Sequence, residues 1–158
     1  MTVDLPESAP RPGLPERNVP IDVLAVVFVG GALGGLARYG LANALPVAAG
    51  TFPTATWLTN VVGCALIGVL MTLLLAHGNP HRLIRPFVGV GVLGGFTTFS
   101  TFAVETDKLF QTGASGTALL YVAASLIGGL VAVWLAVLIT RRLVHEPHEP
   151  IESVSEWS

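Results

Sequence analysis

Charge is scarce in this sequence: 11% of its 158 residues are Asp, Glu, Lys or Arg, under half the ~25% usual in soluble domains. Lys108 is the only lysine, and the formal net charge is −2. Without a basic patch to neutralise phosphates, a nucleic-acid partner is excluded. Cysteine is nearly absent as well. Cys64 stands alone, so neither an internal disulfide nor a CxxC metal site can form, and in its uncharged run it is expected to pack as a small apolar residue. The histidines (His77, His81, His145, His148) fall outside the apolar segments, leaving the hydroxyls there without a basic partner. Nucleophilic catalysis needs that pair, so the chain is not expected to be an enzyme.

What fills the sequence instead is hydrocarbon. Hydrophobic residues make up 52% of the chain, and the mean hydropathy is +0.70. Crossing ~30 Å of bilayer takes about 20 apolar residues in a helix, and four segments qualify: 23–45, 54–76, 86–109 and 117–140. Of ten acidic and eight basic residues, only Arg38, Glu105, Asp107 and Lys108 lie inside them. The second and fourth carry no charge at all, whereas a surface helix of a soluble protein needs a polar face. The fold class is therefore an all-α membrane protein with four transmembrane helices and the lipid bilayer as its solvent. The four-helix transmembrane domain spans 21–143. The Pro-rich, polar residues 1–20, unlike a secretory signal, and residues 144–158 are read as disordered tails.

Orientation follows from the arginines. Arg11, Arg17, Arg82, Arg85, Arg141 and Arg142 fall on one side of the spans, opposed in the loops by Lys108. By the positive-inside rule both termini should be cytoplasmic, in a cell membrane. Arg38, late in the first helix, has a side chain long enough to reach the far interface, which would make the opposition two.

Small residues mark close packing. Gly30 with Gly34, Gly31 with Gly35, and Gly91 with Gly95 are GxxxG pairs, so the first and third helices should pack tightly. Four helices enclose little beyond their own side chains, which makes a dimer the economical way to build a path. Gly89, Gly91 and Gly94 also spell GxGxxG, but the flanks are membrane-like and Asp107 comes too early for the ribose-binding acid of a dinucleotide fold.

The third segment carries the run Gly94-Gly95-Phe96-Thr97-Thr98-Phe99-Ser100-Thr101-Phe102. Two readings stand. Paired glycines and β-branched threonines lower helix propensity, and a mid-membrane break can present carbonyls to a cation. Alternatively, the glycines only permit close contact while each hydroxyl bonds a carbonyl one turn back. Phe99 and Phe102 share a face, with Thr98, Thr101 and Glu105 on an adjacent polar stripe. On the second helix Thr56 and Asn60 stack above Gly63, and on the fourth Tyr121 and Ser125 share the same spacing. Amide and hydroxyl donors, with the positive edges of phenyl rings, suit a small hydrated anion. Conduction also requires binding firm enough to strip water and weak enough to release. Each hydroxyl taken alone could equally make an ordinary interhelical bond. Glu105 is either a mouth or relay group or marks where the helix emerges into water beside Asp107 and Lys108.

Three blocks carry a family resemblance: residues 30–39, GGALGGLARY; 56–63, TWLTNVVG; and 91–102, GVLGGFTTFSTF. With them the chain resembles the Fluc/CrcB fluoride channels over its four spans, roughly 30–141. The resemblance implies an antiparallel, dual-topology dimer with the third helix broken near mid-span, two fluoride pathways and a central structural sodium ion. Position by position, it implies sodium on the backbone carbonyls of Gly94 and Thr97. Phe99 and Phe102 would turn ring edges to fluoride and Asn60 would be a pore donor. Tyr121 and Ser125 would line the pore, with Thr56, Thr101 and Glu105 as a polar track alongside, and Ser100 is counted with the fluoride pathway. Arg38, Gly63 and Gly95 are assigned structural parts. The implied activity is passive fluoride export that lowers toxicity in the cytoplasm.

Departures from the pattern are Ala55 for a glycine, Thr59 for an apolar residue, and Gly129 where some members have a second pore serine. The arginine bias also matters, because a chain that inserts both ways should show little asymmetry. It motivates the hypothesis that this chain inserts one way and pairs with an oppositely oriented paralogue rather than with itself. The rival function is a small dimeric proton-coupled exporter of organic cations, which needs a carboxylate deep in the bundle, whereas the first, second and fourth helices have none. A non-transporting assembly subunit would account for the glycines but not for the run around Phe99 and Phe102.

Overall fold

The computed structural model describes residues 20–78 and 80–144; the two tails expected to be disordered lie outside them, apart from Pro20 and Val144. The elements in order are α1 (Ile21–Ala44), α2 (Thr54–Ala76), a π-helix (Arg85–Leu93), α3 (Gly94–Phe96), α4 (Phe99–Gln111) and α5 (Ser115–Val144). All described regular structure is helical, and four spans, with Arg85–Gln111 as the third, are long and apolar enough to cross a membrane.

The second span has the expected ends, the first is shifted to Ile21–Ala44, and the third and fourth extend beyond theirs to Arg85–Gln111 and Ser115–Val144. Polar termini continue as helix because backbone groups prefer helical partners at the interface to none. Thus α5 runs on through Arg141 and Arg142, cations that complement the negative end of the helix dipole. The winding of Arg85–Leu93 with i→i+5 bonds has no counterpart in the apolar periodicity.

Two tight helix pairs hold the bundle. In the first, α1 meets the third span through glycine: a Cβ added to Gly91 would lie 3.0 Å from the Gly30 Cα, and one on Gly34 or Gly95 would run into the carbonyls of Val92 or Gly31. Backbones this close gain van der Waals contact that lipid cannot match. One expected pair is corrected here, because a Cβ at Gly35 would meet nothing within 4 Å; its one-residue offset from Gly34 turns it away from the third span.

In the second pair, α2 lies along α5. A Cβ on Gly68 would meet the Val133 carbonyl at 2.9 Å, and one on Gly129 would meet Cys64 Sγ at 3.2 Å. Trp57 Nε1 donates to the Ala124 carbonyl at 3.1 Å, tying the first turn of α2 to the third turn of α5.

The turn between α4 and α5 decides where the site residues meet. Gly113 has φ +77°, and Gly113 N–H and Ala114 N–H donate to the carbonyls of Phe110 and Leu109 at 3.1 and 2.9 Å. This Schellman closure folds α5 directly back on α4. Leu109, Ala118 and Tyr121 then form a small core with Phe52, Trp57 and Phe102 around it. At the opposite end, Asp22 pairs with Arg82, linking the start of α1 to the loop before the π-helix.

Candidate functional site

Between α3 and α4 the helix is interrupted. Thr97 and Thr98 are extended, with ψ of 157° and 125°; the Thr97 N–H still donates to the Leu93 carbonyl at 3.0 Å, and the ladder breaks after it. Thr97 remains anchored below, its hydroxyl donating to the Leu93 carbonyl at 2.8 Å, and its methyl fills the space left by Gly63 on α2. Thr98 caps the next helix by accepting the Thr101 N–H at 3.2 Å.

Asn60 brackets the interruption. Its Oδ1 accepts the Thr98 N–H at 2.9 Å and its Nδ2 donates to the Thr98 carbonyl at 3.0 Å. In an unbroken helix the Thr98 N–H would serve the Gly94 carbonyl, and the Thr101 N–H would serve that of Thr97. Both donors are diverted to side chains, which leaves the Gly94 and Thr97 carbonyl oxygens without their helical partners. Such oxygens suit a hard monovalent cation.

A second cluster surrounds Glu105. One carboxylate oxygen accepts from Thr56 Oγ1 at 2.9 Å and the other from Tyr121 Oη at 2.8 Å. Three spans therefore converge on one carboxylate. Tyr121 is fully buried, and its ring packs against Phe102 with centroids 5.0 Å apart and edge-on to Phe52 at 5.4 Å. Phe99 lies 6.0 Å from Phe102 and is 80% exposed.

Between these clusters lies an open groove of about 480 Å³ bordered by Asn60, Thr97, Thr98, Phe99, Phe102 and Ser125. No charged side chain lines it. Ser125 Oγ is buried, and among the described residues nothing bonds it. A buried hydroxyl without a partner is costly, and Ser125 Oγ carries that cost among the described residues.

The structure thus brings Asn60, Phe99, Phe102, Ser125, Gly94 and Thr97 to one groove. Thr56, Glu105 and Tyr121 form the adjoining cluster. Thr101 links to the break through its bond to Thr98 Oγ1 at 3.0 Å, and Ser100 Oγ lies 3.3 Å from the same atom. Arg38 sits apart on α1, its buried Nε bonded to no described residue. Gly95 packs on Gly31 rather than facing the groove. Of the departures, Ala55 is buried and accepts the Thr59 hydroxyl at 2.8 Å, so Thr59 is satisfied within its own helix. Gly129 faces Cys64.

Sequence reasoning overlooked Phe52 and Trp57. Their rings lie 6.1 Å apart, at the positions before and after the α2 N-terminus that form a hydrophobic staple, and that spacing was a usable signal. The clamp on Thr98 had no such signal, because residues 38 apart in sequence share no local pattern.

Comparison with known proteins converges on one group. The family model described as CrcB-like protein, Camphor Resistance (CrcB), matches residues 25–137. The chain is 49% identical over 135 residues to Fluoride-specific ion channel FluC 2 of Streptomyces avermitilis, covering 80% of this chain and 85% of that one. It is 50% identical over 122 residues to Fluoride-specific ion channel FluC 1 of Streptomyces coelicolor, covering 77% and 79% of the two chains. A third relative, Fluoride-specific ion channel FluC 2 of Thermobifida fusca, is 54% identical over 122 residues, covering 77% and 90%.

Proposed function

Because this chain belongs to the CrcB-like family, we propose that the groove beside Asn60, Phe99 and Phe102 is the fluoride pathway of a passive, fluoride-specific channel. The protein is a multi-pass membrane channel and not an enzyme. The observation that carries the pathway is the spare hydroxyl of Ser125 in a groove with two phenyl rings and no charge. Fluoride shedding water needs donors, and an amide, a hydroxyl and ring edges supply them without the deep trap a lysine would create. Glu105 stays beside this path rather than in it, because its oxygens are occupied by Thr56 and Tyr121.

The assembly we propose is an antiparallel dimer in the plasma membrane. Phe99 and Phe28, 80% and 78% exposed in the single chain, are the kind of surface a second subunit covers. The carbonyls of Gly94 and Thr97 and their counterparts in the partner subunit would together hold a structural sodium ion; two oxygens per chain are too few for a cation, and four from the pair make the start of a shell. A sodium ion there supplies the positive charge that fixes the two interrupted helices to each other. The arginine excess at one end supports cytoplasmic termini and favours an oppositely oriented paralogue as partner over a second identical copy.

Fluoride-electrode recording of efflux from loaded liposomes tests the function, with chloride as control. Rapid fluoride loss and retained chloride are expected from the chain with its paralogue. Full flux from the purified chain alone would overturn the need for a paralogue and leave the channel reading intact, whereas no flux from either preparation would overturn the channel.

A further inference from the structure

The ends of α2 and α5 carry a second site. Both helices cross in the same direction, being the second and fourth of four spans, and pack together where Gly68 faces Val133 and Ala136. Beyond that contact they part around an open groove of about 670 Å³, lined by Thr72, Leu75, Leu138, Arg141 and Arg142 among others. Its inner wall is apolar. The Thr72 hydroxyl is satisfied by the Gly68 carbonyl at 2.8 Å and offers the groove no free donor. Leu75, on the groove wall, is 81% exposed, and Leu143, next to the two arginines in sequence, is 75% exposed. Among the described residues no carboxylate pairs with Arg141 or Arg142, the one ion pair being Asp22 with Arg82.

We propose that this groove binds an anionic phospholipid, with an acyl chain along Leu75 and Leu138 and the phosphate on Arg141 and Arg142. The proposal rests on the membrane reading of the four spans and not on fluoride conduction. A groove that is apolar within and doubly cationic at its rim complements an amphiphile with a negative head. Guanidinium forks match phosphate oxygens in geometry as well as charge, and basic pockets between transmembrane helices at the cytoplasmic side are where acidic headgroups settle. Inorganic phosphate would use only the rim. The sequence beyond Val144 carries glutamates at 146, 149, 152 and 156, carboxylates that compete with a phosphate for the same arginines in the test below.

Native mass spectrometry of the full-length protein, titrated with phosphatidylglycerol or phosphatidylcholine, reads this site without any flux. Phosphatidylglycerol should be retained in preference. The Arg141→Gln/Arg142→Gln variant should weaken its binding by at least about tenfold, ~1.4 kcal/mol, while Arg85→Gln, away from the groove, should not. Leu75→Trp, which keeps both arginines and alters an exposed position, should also expel the lipid. Equal retention by wild type and the double arginine variant would overturn the site. Displacement of the lipid by millimolar inorganic phosphate would overturn it as a lipid site. Binding that appears only after the four tail glutamates are changed to glutamine would show that the tail is the resident occupant and overturn it as well.

Discussion

Asn60 on α2 holds both backbone groups of Thr98, at 2.9 and 3.0 Å, so one side chain replaces the helix ladder where the third span is interrupted. An amide is suited to this, since it donates and accepts from adjacent atoms. Asn60→Asp keeps the acceptor but sets a carboxylate oxygen against the Thr98 carbonyl. Loss of one bond with a like-polarity clash should cost ~1–3 kcal/mol, and the added negative charge beside the groove should stop fluoride flux. Thermal unfolding in detergent and electrode recording measure the two effects separately.

The two phenylalanines should separate conduction from stability. Phe99→Ile alters an exposed ring and should leave the unfolding temperature of the solubilised chain close to wild type. Phe102→Ile also removes the 5.0 Å contact with Tyr121, worth ~0.5–1.5 kcal/mol. Both should abolish fluoride flux, and undiminished flux in either would remove that ring from the pathway.

Glu105 joins three spans through two hydroxyl donors. Glu105→Gln offers one carbonyl oxygen in place of two, so either Thr56 or Tyr121 loses its acceptor. Tyr121→Phe should destabilise by ~1–3 kcal/mol, and adding it to Glu105→Gln should cost less than the sum of the two. A double-mutant cycle on unfolding detects the coupling; strict additivity would mean the bond carries no stability.

Glycine positions on α1 should divide by direction. Gly34→Ala drives a methyl into the Val92 carbonyl and should part α1 from the third span, an overpacking cost of ~1–3 kcal/mol. Gly40→Ala meets nothing within 4 Å and should be neutral or slightly stabilising, because alanine is the better helix former. Yield of folded protein after size-exclusion chromatography reports both.

Sodium should matter if the carbonyls of Gly94 and Thr97 hold it. Replacing sodium with N-methylglucamine on both sides of the liposome should lower fluoride flux, with recovery on its return. Flux indifferent to the exchange would remove the cation from the proposed assembly.

Much of this protein is written locally. Four long apolar segments, two of them without any charge, fix its solvent as lipid, since a helix satisfies its own backbone in hydrocarbon and about 20 apolar residues span it. The glycines of α1 and of the third span point to close helix contact, and the run from Gly94 to Phe102 marks where the chemistry lies. What sequence leaves open is which partner each polar group takes. Hydroxyls at Thr56, Thr98, Tyr121 and Ser125 carry no mark of their partners on paper, yet folding binds the first and third to Glu105, makes the second a helix cap, and leaves the fourth without a partner among the described residues. That sorting depends on distances between atoms of different helices, which the Schellman turn at Gly113 and the staple at Phe52 and Trp57 set. Periodicity records the face a residue occupies on its own helix; only the packed bundle decides what stands opposite.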